Sequence, residues 1–224
     1  MTLERPQTGN ATATDSPEGA PTLGGTLLRA AWLSILLGFV MEALLLLLVT
    51  GFGNVPKLKP ILADLVQKVS WSVFVCVGLA IGTAASKARA PVMGLTGLLA
   101  APLAFNIARF LHKSASHALA IAGPAAGAPS PILLGFLKGV EYGSLGSAVG
   151  WVARRSWGGV AAYVAVGLCV GIVFGGGILA LTAWAAAKPF SGVDLFARGV
   201  NEVLFPVGCS IVLYTAEALG KRAS

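Results

Sequence analysis

The sequence predicts an all-α integral membrane protein with six transmembrane helices, arranged as three tandem helical hairpins around a pseudo-three-fold axis. Three observations carry this reading. Of 224 residues, 56% are hydrophobic and 11% charged, against about 45–50% and about 25% in a soluble domain. The apolar residues gather into segments close to the roughly 20 residues that a bilayer crossing needs, and mean hydropathy is +0.81. Finally, a short motif recurs at the start of alternate apolar segments, as set out below.

The first element is a polar, Thr-, Pro- and Gly-containing segment, residues 1–26, which has too few apolar side chains to bury and is expected to be a flexible tail. A single membrane domain, 27–222, follows. Its first span, Leu27–Val49, lacks a basic region before it and a small-residue cleavage site after it, so it is expected to be retained and not cleaved as a signal peptide. Five further spans are placed at about 69–87, 91–112, 131–153, 158–186 and 199–220. Short basic turns join the second to the third and the fourth to the fifth, and longer connections join the others. The segment Pro56–Lys68 alternates Lys with apolar residues and reads as a short amphipathic interfacial helix. In an alternative with five spans, 131–153 is re-entrant, because Gly135, Gly139, Gly143, Gly146 and Gly150 weaken its helical propensity.

An even number of spans puts both termini on one face. The basic residues divide equally between the two faces, so the positive-inside rule does not orient the chain by itself. The basic residues of the terminal face lie in very short turns, and the polar tail needs no translocation if it stays inside. The expected location is therefore a bacterial inner membrane with both termini cytoplasmic. A charge of +7 would suggest nucleic acid in a soluble chain. Here the cations flank apolar segments, where they anchor helices, and no nucleic-acid partner is expected. Cys76, Cys169 and Cys209 all lie within spans and read as small packing residues.

The recurring motif aligns Pro60–Trp71 without gaps on Pro131–Tyr142, and Phe196–Glu202 forms a weaker third copy. Each copy opens an even-numbered span. Parallel repeats of this kind place like residues at like depths around a central site, although Ala-, Gly- and Leu-rich text also yields chance matches.

Ionisable groups inside spans are costly and point to function. Glu42 lies about 22 Å along the first span at about 1.5 Å per residue, deep in a hydrocarbon core of about 30 Å. Asn106 falls at a similar depth, and Glu141, Asn201 and Glu202 fall near it on the returning spans. These five are the candidate substrate or ion site, in the membrane half away from the termini, with Lys68, Arg109, Lys138 and Arg198 as a basic rim. The plainer alternative makes Lys138 with Glu141 and Arg198 with Glu202 snorkelling pairs on one helix face, and makes Asn106 an ordinary helix–helix hydrogen bonder. Two glycine ladders, Gly135–Gly139–Gly143 and Gly167–Gly171–Gly175, predict close helix packing, within the bundle or between subunits.

Enzymatic chemistry is not expected. His112 and His117 are five apart, poor spacing for two ligands on one helix face, and no phosphate loop, nucleophile elbow or Cys-x-x-Cys occurs. No cofactor can be named. The expected function is a carrier or channel for an ion or small charged solute; the rival is an accessory subunit of a larger membrane assembly. Lipid, further copies of the chain or partner membrane subunits are the expected partners.

Overall fold

The computed structural model describes residues 23–55, 57–85, 87–121 and 129–222. The described part is helical: α1 (Leu23–Gly51), α2 (Leu58–Ile81, ending in a 3-10 turn Gly82–Ala84), α3 (Arg89–Ala118), α4 (Pro131–Val152), α5 (Val160–Ala185) and α6 (Gly192–Arg222), with no strand among the described residues. Of the tail expected over 1–26, residues 23–26 instead form the first turn of α1, and residues 1–22 lie outside the described residues. Five helices, all but α4, are long and apolar enough to cross a membrane. Lys138, Glu141 and the glycines dilute the apolar character of α4, which is also deeply enclosed.

The inward stripe of α1 shows how these sequences sort in lipid. Thr26, Ala30, Ser34, Gly38, Met41 and Glu42 recur at helical spacing and are buried, while Leu28, Trp32, Leu36, Phe39 and Leu47 point outward. Small and polar side chains face the bundle and large apolar ones face away, the reverse of a soluble helix and the pattern of a membrane helix. An exposed apolar surface of this extent is an aggregation hazard in water.

Consecutive helices run antiparallel. They close a ring in which each packs on its chain neighbours and α6 returns to α1, with α6 also touching α2 and α4. Two ends result. At the terminal end, Arg154 Nη1 donates to the Lys87 carbonyl at 3.1 Å, Arg89 pairs with Glu217, and Tyr163 packs edge-on against Tyr214 at 5.1 Å. At the opposite, loop end, Phe52 packs on Phe196 at 5.8 Å. Two helices starting at the loop end are capped by serine. Leu133 N donates to Ser130 Oγ at 3.1 Å, with Pro131 in the first turn, and Asp194 N donates to Ser191 Oγ at 3.1 Å.

The glycine ladders are spent inside the bundle. A Cβ on Gly146 would sit 2.2 Å from the Met93 carbonyl, and one on Gly150 2.7 Å from Ala90 Cα, so α4 lies directly on α3. On α5, Gly167, Gly171 and Gly175 meet Val207, Val203 and Glu202 of α6 in the same way. Gly135, at the loop end of α4, has its nearest contact at 3.6 Å, so the α3–α4 seam is looser there. Two prolines add to these contacts. Pro102 and Pro206 have no N–H for the carbonyls of Leu98 and Glu202. Those two carbonyls are the atoms that Gly139 and Gly175 approach. Helix α5 continues through its glycine-rich centre as a π turn, Gly171–Gly175, a single-turn bulge within the α-helix.

Helix boundaries differ from the sequence expectation mainly at the loop end. Pro56–Lys68 is not a separate interfacial helix: from Leu58 onward it forms the first turns of α2, Pro56 itself lying outside the described residues. Similarly, α6 begins at Gly192, not near 199, and α3 runs on to Ala118. In the added turns of α2 and α6, Asp64, Gln67, Lys68, Asp194 and Arg198 lie on one helix face, and that face has a destination within the bundle.

Candidate functional site

The destination is a cavity of about 540 Å³ at the loop end, lined from all six helices. Its lining residues follow helical spacing. On α2 they are Pro60, Ile61, Asp64, Gln67, Lys68 and Trp71; on α6 they are Asp194, Ala197, Arg198, Asn201, Glu202 and Phe205. Both sets step by three or four residues, the signature of a single helix face. Helix α1 adds Glu42, α3 adds His112, α4 adds Lys138 and α5 adds Thr182.

Charges in the cavity are arranged as pairs between helices. Lys68 Nζ donates to Glu42 Oε2 at 2.6 Å, joining α2 to α1. His112 Nε2 lies 3.1 Å from Asp64 Oδ1, joining α3 to α2. Lys138 Nζ donates to Glu141 Oε2 at 2.8 Å on its own helix and to Glu202 Oε2 at 2.5 Å on α6. Lys138 and Glu141 are buried, and Glu202 faces the cavity. Charges withdrawn from water in this way persist only when partners and hydrogen bonds offset the lost hydration. Arg198 instead stacks on Phe190, with its guanidinium carbon 4.6 Å from the ring centroid.

The Lys138 ammonium also lies 5.8 Å from the centroid of Trp71 and 5.9 Å from that of Tyr142, and those two rings pack edge-on at 5.3 Å. Trp71, Tyr142 and Glu202 occupy matching positions in the three aligned copies. The three matched positions therefore surround one ammonium. Below this layer the bundle is filled by Val75, Leu79, Met93, Leu145, Val149 and Leu213. Cys76 and Cys209 sit in the same core with their sulfurs 3.0 Å apart, and Cys169 is exposed on α5.

Of the candidate residues read from the sequence, Glu42, Asn201 and Glu202 line the cavity, and Glu141 lies behind it in contact with Lys138. Asn106 lies elsewhere: it is exposed on α3 and donates to the Pro102 carbonyl of its own helix at 2.8 Å. Of the basic rim, Lys68, Lys138 and Arg198 line the cavity and Arg109 does not. Asp64, Gln67, His112, Thr182 and Asp194 also line it and were missed. For Asp64 and Gln67 the spacing to Lys68 and Trp71 was a usable signal; for His112 nothing local announced its partner. Among the described residues, no group of three or more His, Cys, Asp or Glu side chains is placed to hold a metal. No family model matches the chain, and no curated protein or solved structure is significantly similar to it.

Proposed function

We propose that the protein is a small multi-pass transport protein, a carrier or channel, that moves an ion or small charged solute through the loop-end cavity. The observation that carries this is the cavity itself: all six helices contribute to it, and its walls hold two inter-helix ion pairs and the inter-helix His112–Asp64 contact. Groups that only anchor a helix at the headgroups have no reason to pair across helices around one void. Glu42 is the wall carboxylate for solute or ion, Asn201 and Glu202 form the floor, and Arg198 attracts or screens charge at the mouth.

In this reading the chain crosses the membrane six times. At about 1.5 Å per residue, the 22 residues of α4 extend about 33 Å, enough for a hydrocarbon core of about 30 Å. The helix is unbroken, which favours a span over a re-entrant loop. The meeting of Trp71, Tyr142 and Glu202 at Lys138 supports three hairpins about a pseudo-three-fold axis. The termini lie in the cytoplasm of a bacterial cell, which directs the cavity outward.

The test is uptake into vesicles reconstituted with the purified chain, over a panel of inorganic cations, organic acids and amino acids. Glu42→Gln removes the charge and keeps the shape, and it should slow transport on the order of tenfold, equivalent to about 1.4 kcal/mol. Unchanged rates for every solute the unmodified protein moves would sink the assignment.

A second reading, an accessory subunit, is favoured by a shallow outer groove of small residues between α3 and α4, including Gly94, Gly143, Ser144, Ser147 and Ala148. Such a surface suits a close-packed helix of another subunit. Co-purification with one stoichiometric membrane partner, together with no flux by the isolated chain, would establish that reading instead.

A further inference from the structure

The buried centre at Lys138 holds more carboxylate than it can neutralise. One ammonium bonds two carboxylates, Glu141 and Glu202, so the group carries one excess negative charge when both acids are ionised. Uncompensated charge in a low-dielectric interior is expensive and is removed by pairing or by a proton. Among the described residues, no second cation is ion-paired to either acid. From α2 the group is faced by Trp71 and Cys76, and Lys68 is held by Glu42 of α1. From α3, His112 lines the cavity and is paired to Asp64. From α4 there is Tyr142; from α6 there are Cys209 and Arg198, the latter stacked on Phe190. The cavity-lining residues of α5 are Ile178, Leu179 and Thr182, none of which titrates.

A second observation is independent of charge counting. Glu141 has a side-chain exposure of 0%, and its second oxygen, Oε1, is enclosed with no hydrogen-bond partner. A buried carboxylate oxygen without a donor bears its full desolvation cost. Protonation discharges that oxygen.

We propose that Lys138, Glu141 and Glu202 form a proton-binding site, with the bound proton on Glu141 and Glu202 as its contact with the cavity. The proton comes from cavity water to Glu202, whose side chain is 21% exposed. Lys138, bonded to both acids, passes one proton to Glu141 and takes the one on Glu202. The net step is Glu141 carboxylate plus H⁺ giving Glu141 carboxylic acid; Lys138 ends as an ammonium and the group changes from one negative charge to none. The site's use rests on the transport reading above: the proton is the ion coupled to solute movement.

The experiment is an infrared difference spectrum of the full chain in lipid vesicles, taken between mildly acid and mildly alkaline buffer. The acid side should show a protonated-carboxyl stretch with the amplitude of one carboxyl per chain. Both Glu141→Gln and Glu202→Gln should abolish that component, because each leaves Lys138 facing a single carboxylate. If Glu141→Gln does not fold, Glu202→Gln at the cavity edge gives the same answer. A component that survives in either folded variant overturns the proposal, as does its absence from the unmodified protein. Solute flux is measured separately on the same vesicles. The carboxyl component without flux supports the proton site and rejects transport; flux without it rejects the proton site and leaves transport standing.

Discussion

Lys68 and Lys138 show how enclosure decides what an ion pair is worth. Lys68 and Glu42 meet on the cavity wall with side-chain exposures of 15% and 12%, where water entering the cavity can solvate whichever charge is left alone. Lys138 is buried and bonds two acids, one of them fully enclosed. Removing one partner of a buried pair costs about 3–5 kcal/mol when the remaining charge stays in the interior, and less where a cavity lets water reach that charge. Lys138→Met, which leaves two acids without their cation, is therefore expected to lower stability by about 3–5 kcal/mol, and Lys68→Met, which leaves only Glu42 on the cavity wall, by less. Thermal unfolding of the two variants in the same mild detergent checks the order. Equal losses would mean that water reaches Lys138 as readily as Lys68.

Among the helices, glycine spacing decides which pairs approach closely. At Gly146 a Cβ would fall 2.2 Å from a backbone carbonyl that cannot rotate away, while Gly176 on α5 has open space around it. Gly146→Ala should destabilise the bundle by about 1–3 kcal/mol through overpacking of α4 on α3. Gly176→Ala should be neutral or stabilising by about 0.5–1 kcal/mol, the gain in helix propensity. Melting of both variants in detergent tests this, and a stabilising Gly146→Ala would mean that the α3–α4 seam is looser than described. These ladders were legible in the sequence because close packing leaves a local trace, a small residue at every fourth position. So were the cores of the spans and most of the polar layer, since an isolated Glu42 among leucines has no bland local explanation. The loop-end turns of α2 and α6 were not. A helix with one face on lipid and the other on a polar cavity averages to moderate hydropathy, and Lys57, Lys59, Asp64 and Lys68 read as a connection. The Asp64–His112 pair was equally hidden, since it joins residues on different helices and only the packed bundle brings them together. Asn106 shows the converse: depth along a span fixes its layer but not its azimuth, and its side chain faces away from the cavity.

For the molecule as a whole, the transport reading proposed above makes the open loop end and the tightly packed terminal end one state of a transport cycle. Carrying a solute through requires the terminal half to part, and the inner faces of α2 and α6 meet there at Cys76 and Cys209. Their sulfurs lie 3.0 Å apart in a fully buried position, close enough for a mild oxidant to convert the two thiols to a disulfide with loss of two protons and two electrons. Oxidation should therefore remove two alkylatable thiols per chain and leave Cys169, which is exposed on α5, as mass spectrometry after alkylation would show. The cross-link spans helices from the first and third hairpins, so it holds the centre of the ring in its present arrangement. If α2 and α6 separate during transport, flux falls at least on the order of tenfold, a barrier increase of about 1.4 kcal/mol, and reduction restores it. If flux is unchanged by a complete cross-link, α2 and α6 move as one body, and the moving boundary then lies at a different seam. The α4–α5 contact is the natural alternative, since the tight glycine contacts of α4 are made to α3 and those of α5 to α6.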